Sequence, residues 1–260
     1  MADPPQGTLP GLTPPRIGAL RRRGIYLLPN LFTTAALFAG FFAIVQAMNQ
    51  RYDISAVAIL VAMVLDGLDG RVARMTRTQS EFGAQYDSLS DMVSFGAAPA
   101  LVIYEWSLKG LGKLGWIAAF VYVAGAALRL ARFNTQLEVA DKRWFQGLPS
   151  PSAGALVAGF VFIMDDYAVA PTAVQWWAWS ITLAAGLAMV SNLKYYSFKA
   201  INLKRSVPFV AILLFVVFIA LLSYQPAVVL FGGFVAYFLS GFVMSGWALL
   251  RRRRAPPAAP

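Results

Sequence analysis

The sequence contains no cysteine and no histidine. Disulfides, thiolate nucleophiles and metal sites built on cysteine or histidine are therefore excluded. General acid–base chemistry has to use carboxylates, with lysine and tyrosine as less common alternatives. The metals that suit such a donor set are hard, oxygen-liganded cations such as Mg²⁺ or Mn²⁺.

Charged residues are also scarce, at 13% of the 260 residues, whereas 58% are hydrophobic. A soluble domain has about a quarter charged residues, and the mean hydropathy here is +0.61. Apolar runs of about 18 or more residues recur, and each is long enough to cross a ~30 Å hydrocarbon core. The sequence therefore predicts an all-α, polytopic transmembrane helical bundle with about eight spans. They lie near 27–48, 54–75, 89–107, 114–134, 151–168, 173–191, 206–223 and 226–249.

The runs divide the chain into four predicted parts. Residues 1–24 are expected to form a disordered, basic cytoplasmic N-terminus, and 250–260 a basic, disordered tail. Residues 25–205 are expected to form a six-helix core domain, and residues 206–249 are expected to add two C-terminal helices. With the N-terminus cytoplasmic, 19 of the 22 Lys and Arg residues fall on one side of the membrane. The positive-inside rule then places both termini, and the polar stretch 71–91, at the cytoplasmic face of an inner membrane.

The formal net charge of +10 could suggest a nucleic-acid partner. The charges, however, sit in the short connections between apolar runs, where they set topology and meet anionic lipid headgroups. The expected partner is therefore the lipid bilayer, and no nucleic acid is expected.

Four of the few acidic residues, Asp66, Asp69, Asp87 and Asp91, fall within 26 positions. Each pair has helical spacing, three or four residues, so each shares one helix face. An ionised aspartate at the end of an apolar run costs roughly 2.5–3.5 kcal/mol unless it is paired. Four converging carboxylates need compensation, and two divalent cations ~4 Å apart are the usual clamp for displacement at phosphorus. The alternatives are a structural network with neighbouring arginines and an ion-coupled transporter.

One further stripe supports phosphate chemistry. Asp66, Gly70 and Arg74 follow each other at intervals of four, so the Arg74 guanidinium lies near the aspartate face. Arginine at such a position suits bidentate contact with a phosphate.

The same residues form the pattern D-x2-D-G-x2-A-R-x8-G-x3-D-x3-D, from Asp66 to Asp91. This stretch resembles the signature of the CDP-alcohol phosphotransferase family, and all eight fixed positions are met. The resemblance implies two divalent cations, Mg²⁺ or Mn²⁺, one held by Asp66, Asp69 and Asp87. The second would be held by Asp66, Asp87 and Asp91. Asp91 would also be the general base that takes the proton from an acceptor alcohol, which attacks the lipid-linked phosphorus and expels CMP.

The resemblance also implies the contacts to the CDP-lipid. Gly70, Arg74 and Ser80 would contact the CDP moiety. The run 29–33, P-N-L-F-T, looks like the family's segment at the start of the first span. Asn30 and Thr33 would there help to hold the cytidine or its phosphates, with simple helix capping after a proline as the alternative.

Two further runs bear on the acceptor. Residues 128–134, L-R-L-A-R-F-N, and 145–154, F-Q-G-L-P-S-P-S-A-G, resemble the membrane-embedded phosphatidylserine synthases of bacteria and archaea. This implies CDP-diacylglycerol and L-serine as substrates, with glycerol 3-phosphate as the alternative acceptor, and a homodimer. Arg129, Arg132 and Ser150 are the candidate acceptor contacts. Ordinary cytoplasmic anchoring remains open for the arginines, and a plain interhelical loop for Ser150.

Overall fold

The computed structural model describes residues 17–76, 80–135, 144–196 and 209–254. Within them the chain is almost entirely helical, which confirms the all-α membrane bundle. The helices are α1 (Ile17–Met48), α2 (Tyr52–Thr76), α3 (Glu81–Asp91), α4 (Ala98–Trp106), α5 (Lys113–Thr135), α6 (Ser150–Asp166), α7 (Gln175–Val190), α8 (Phe209–Tyr224) and α9 (Pro226–Arg254). A π-helical segment (Met92–Ala97) joins α3 to α4, and 3-10 turns occupy Leu108–Leu111 and Pro171–Val174.

Each of the eight predicted spans coincides with a helix, the third with α3, the π segment and α4 together. By length and hydropathy alone, four stretches of the described residues qualify as membrane spans: Leu28–Met48, Lys113–Thr135, Pro171–Val190 and Pro226–Trp247. The remaining predicted spans do not meet these length and hydropathy criteria, and the structure shows why. Polar residues occupy the second half of α2 and most of α3, because the candidate site is built there, and α6 has 17 residues.

The ends of the bundle differ from the prediction of disorder. Residues 17–24 belong to α1, and residues 250–254 belong to α9. Both are basic extensions of apolar helices, and lysine or arginine does not interrupt a helix. The remaining parts of the predicted tails, 1–16 and 255–260, lie outside the described residues, as do positions 206–208 of the seventh predicted span.

A two-stranded antiparallel ribbon was not predicted. Strand β1 (Trp144–Gln146) follows α5, and β2 (Lys194–Tyr196) follows α7. Phe145 pairs with Tyr195 at the centre of the register. The ribbon joins two interhelical connections on the side of the bundle where α5 ends and α6 begins.

Helix α6 is the centre of the bundle. From Ala153 to Val161 every residue is buried, as expected for a helix that is apolar all round. It packs against α2, α4, α7 and α9. Its glycines permit close approach: Gly154 faces Phe95 of the π segment, and Gly159 faces Phe231 of α9.

The helices that carry the candidate site are tied to α1 by serine hydroxyls. Ser90 donates to the Thr33 carbonyl at 3.1 Å, and Ser94 donates to the Ala36 carbonyl at 3.0 Å. A Cβ at Gly40 would overlap Ser94, so a glycine is required for this close packing. These contacts fix the position of α3 and of the π segment along the axis of α1.

Candidate active site

The four aspartates come from two neighbouring helices. Asp66 and Asp69 lie in the last turns of α2, and Asp87 and Asp91 lie in α3. One carboxylate oxygen from each of Asp66, Asp69 and Asp87 lies within 4.8 Å of the others. The convergence expected from the spacing is therefore present.

Asp91 completes the cluster from the end of α3. Its side chain is in hydrogen-bonding contact with that of Asp66 and within electrostatic reach of Asp87 and Arg129. The backbone changes to π-helical pairing immediately after it, with the Ala98 amide donating to the Val93 carbonyl. Such π segments inside α-helices frequently occur at functional sites.

Helix α1 supports the cluster through Thr33. The Thr33 hydroxyl donates to Asp69 Oδ2 at 2.8 Å, and both side chains are buried. The nearby Pro29 carbonyl, 3.2 Å from the same hydroxyl, is a second possible acceptor, but the single proton favours the shorter bond to the carboxylate. Thr33 therefore contacts a candidate metal ligand directly.

A cavity of about 340 Å³, lined by polar, charged and small residues, opens beside the cluster between α1, α2 and α3. This volume is within the usual range of small-molecule sites. All five residues expected to contact the CDP-lipid line it, together with Asp69 and Asp87: Asn30, Thr33, Gly70, Arg74 and Ser80. The structure thus brings these predicted residues to one place.

Two of the lining residues shape the cavity through the backbone. Ser80 is the N-cap of α3, and its hydroxyl oxygen accepts from the Gly83 amide at 3.0 Å. A Cβ at Gly83 would lie 3.1 Å from the Ser80 hydroxyl and 3.5 Å from Asn30 Oδ1. A larger residue at 83 would therefore narrow the cavity.

The three candidate acceptor residues lie in two different places, Arg129 and Ser150 together and Arg132 apart from them. Arg129 Nη1 donates to Ser150 Oγ at 2.8 Å, and Ser150 is fully buried at the start of α6. The Nε of Arg129 is buried and has no hydrogen-bond partner among the described residues. Arg129 also lies within electrostatic reach of Asp91, so this pair lies near the aspartate cluster.

Arg132 is used elsewhere. Its guanidinium donates to the Val190 carbonyl at 3.1 Å and to Asn192 Oδ1 at 3.3 Å. It thereby satisfies a carbonyl at the C-terminus of α7, a common role for arginine at a helix end. The structure does not place Arg132 with Arg129 and Ser150.

Three residues near the site were missed by sequence reasoning. Ser90 anchors α3 to the Thr33 carbonyl, and Asn134 exchanges hydrogen bonds with Ser88 at 3.1 and 3.2 Å. Tyr237 of α9 lies within electrostatic reach of Arg129. Asn134 ends a run already singled out, but only the tertiary packing could reveal Ser90 and Tyr237.

The fold and the site together define a polytopic helical membrane protein whose carboxylate cluster borders a cavity of small-molecule size. Carboxylate oxygens are the donors that Mg²⁺ and Mn²⁺ prefer, so the residues present fit a hard divalent cation. The chain belongs to the CDP-alcohol phosphatidyltransferase family, whose model matches residues 26–184. It is therefore a transferase, and the match ends inside α7, before β2, α8 and α9.

Its relatives include several proteins named CDP-diacylglycerol–serine O-phosphatidyltransferase. One from Helicobacter pylori is 34% identical over 215 residues, which cover 82% of this chain and 90% of that protein. One from Methanocaldococcus jannaschii is 37% identical over 137 residues, covering 53% and 61%. One from Bacillus subtilis is 29% identical over 172 residues, covering 66% of this chain and 91% of that protein.

Proposed function

We propose that this transferase moves the phosphatidyl group of CDP-diacylglycerol to the hydroxyl of L-serine, giving phosphatidylserine and CMP. The observation that carries the proposal is the convergence of four aspartates beside a cavity lined by Asn30, Gly70 and Arg74. The names of the relatives support serine as the acceptor. The product is a phospholipid, which assigns the protein to phospholipid biosynthesis.

Asp66, Asp69, Asp87 and Asp91 would hold two divalent cations, Mg²⁺ or Mn²⁺. When bound, such ions neutralise the diphosphate and stabilise the attacking and leaving oxygens. The cavity residues bind the nucleotide part: Arg74 offers a planar, charged donor set to a phosphate, and Gly70 leaves space beside it. In this proposal Thr33 lies beside the nucleotide, but its hydroxyl donates its hydrogen bond to Asp69 and not to the nucleotide.

Asp91 is the proposed general base, and it accepts the proton of the serine hydroxyl at a carboxylate oxygen. Arg129 is the proposed carboxylate contact. Only two carbon atoms separate the hydroxyl of serine from its carboxylate, so Asp91 and Arg129 have to lie close enough for one small molecule to contact both. The proximity of Asp91 to Arg129, with its unpartnered Nε, supports this pairing.

Ser150 holds Arg129 and lies at the edge of the same subsite. Because Arg132 is engaged by α7, it is not part of the proposed subsite. Glycerol 3-phosphate carries a dianionic phosphate and would favour several cationic residues, whereas Arg129 is the one cation that the described part of the chain brings to the proposed subsite. This comparison supports serine over glycerol 3-phosphate.

The proposal includes an orientation and an assembly. The distribution of lysine and arginine supports an inner-membrane protein with both termini and the site at the cytoplasmic face. The family resemblance implies a homodimer. Accessibility labelling of single-cysteine variants in a chain that has no cysteine tests the orientation, and native mass spectrometry tests the assembly.

The deciding experiment is CMP release by the purified protein with CDP-diacylglycerol and Mn²⁺ or Mg²⁺. Serine and glycerol 3-phosphate are offered separately, and the lipid product is identified by mass spectrometry. Release with serine alone supports the proposal. Release with glycerol 3-phosphate alone keeps the chemistry and overturns the acceptor. No release with either, from folded protein, favours another acceptor alcohol.

A further inference from the structure

The segment 147–150, which leads from β1 to Ser150, is held in place by backbone hydrogen bonds next to the β-ribbon. The Gly147 amide donates to the Leu193 carbonyl at 2.8 Å, and the Leu148 amide donates to the Ala188 carbonyl at 3.0 Å. Gly147 has φ of 79°, in the left-handed region that favours glycine. The chain therefore turns sharply from β1 into Pro149 and Ser150, and its position depends on the last turn of α7 and on the residues that follow it.

Helix α9 is hydrogen-bonded to β2, the second strand of the ribbon, at three points. Tyr195 is fully buried and donates its hydroxyl to the Phe238 carbonyl at 3.2 Å. Tyr237 donates to the Tyr196 carbonyl at 3.2 Å, and the Lys194 amide donates to Ser245 Oγ at 3.1 Å. Burial raises the pKa of Tyr195 to about 12, so its hydroxyl remains a donor at neutral pH.

The fit between α9 and β2 is also steric. The Tyr195 and Tyr237 rings lie 5.5 Å apart, and a Cβ at Gly241 would overlap the Tyr195 ring. Any side chain at position 241 therefore has to displace the ring or the helix. Tyr237 donates a hydrogen bond to β2 and also lies within electrostatic reach of Arg129, so it connects this contact with the acceptor side of the site.

We propose that α9 is a positioning element for the acceptor subsite. It holds β2, which holds β1 and the segment 147–150, and Ser150 in turn holds Arg129. The described residues that line the nucleotide cavity all lie between Pro29 and Asp87, so we expect α9 to affect acceptor binding and to leave nucleotide binding unchanged. This inference rests on the proposed function, and it gives a role to a helix beyond the part of the chain that matches the family.

The test compares Gly241→Val with Gly246→Val in the full-length protein. Both substitutions place the same side chain on α9, but a Cβ at Gly246 meets no atom within 4 Å. A positioned group displaced by ~1 Å can cost ~10²-fold in rate. We expect Gly241→Val to raise KM for serine about tenfold or more, with KM for CDP-diacylglycerol within about twofold of wild type. Gly246→Val should match wild type in both.

A milder variant separates positioning from folding. Tyr237→Phe keeps the ring and removes the donor to the Tyr196 carbonyl, and Tyr224→Phe, on an 81% exposed tyrosine, is its control. We expect KM for serine to rise roughly two- to tenfold, the worth of one neutral hydrogen bond. The unfolding temperature should fall by no more than about 2–4 °C relative to Tyr224→Phe, because a single hydrogen bond contributes only a small part of the total stability. Tyr237→Ala should raise KM for serine further.

A readout without catalysis keeps this inference separate from the proposed function. Hydrogen exchange of the peptide 144–150 should be faster in Gly241→Val than in Gly246→Val, whatever alcohol the enzyme accepts. Failure of wild type to use serine would overturn the acceptor assignment alone, because the exchange comparison still tests the role of α9. Equal exchange in the two variants, or equal rises in both KM values, would overturn the positioning role.

Discussion

The hydrogen bond from Thr33 to Asp69 allows one prediction to be worked through in numbers. Thr33→Val replaces the hydroxyl by a methyl group of similar size. Thr33 is 4% exposed and Asp69 is 5% exposed, so water has little access to replace the lost donor. A hydrogen bond to a charged group contributes about 1.5–3 kcal/mol.

At about 1.4 kcal/mol per factor of ten, that loss corresponds to roughly a 10- to 100-fold weaker hold on a cation at Asp69. Outer partners of metal ligands have effects of about this size in general. We therefore expect Thr33→Val to raise the dissociation constant for Mn²⁺ by about 10- to 100-fold. Thr33→Ser, which keeps the hydroxyl, should stay close to wild type.

The assay is electron paramagnetic resonance of free Mn²⁺ titrated with purified protein, alongside the Mn²⁺ concentration that gives half-maximal CMP release. Thr34→Val is the matched control, because the Thr34 hydroxyl bonds to the Asn30 carbonyl and to Tyr86 and not to a carboxylate. Wild-type Mn²⁺ affinity in Thr33→Val, in protein of normal thermal stability, would refute the assignment of Thr33 as a support for Asp69.

The remaining predictions concern the base, the metals, the acceptor and the packing. Asp91→Asn should lower CMP release by about 10²–10⁴-fold, the usual worth of a general base, while Mn²⁺ binding persists in part; wild-type turnover would contradict the assignment. Chelation with EDTA should abolish turnover, and Mg²⁺ or Mn²⁺ should restore it. Arg129→Lys should raise KM for serine because the planar donor fork is lost; an unchanged KM would count against the subsite. Gly40→Val should destabilise the protein by about 1–3 kcal/mol through overlap with Ser94, measured as unfolding temperature against Gly232→Val, where a Cβ has open space.

The helices and the aspartate cluster were predictable because their signals are local. Apolar runs report membrane helices directly, and spacings of three and four residues report a shared face. The family signature added the neighbours of the cluster. Asn30, Gly70 and Ser80 line one cavity with Asp69, although they come from different parts of the chain.

The features that were missed depend on long-range packing. Strands of three residues carry no periodicity, so the pairing of Phe145 with Tyr195 could not be read from either run. Arg129 and Arg132 are three residues apart, which leaves them about 60° apart around the helix. That angle is enough to direct one toward Ser150 and the other toward the end of α7.

The π-helical segment Met92–Ala97 has a consequence for how the chain tolerates change. One extra residue in a turn shifts every later side chain by about 100° around the helix axis. The polar face before Asp91 and the apolar face after Ala98 therefore have separate angular registers within one continuous rod. Loss of a single residue there would leave a regular α-helix of nearly the same composition, in which Asp91 and Phe95 could no longer both face their present partners.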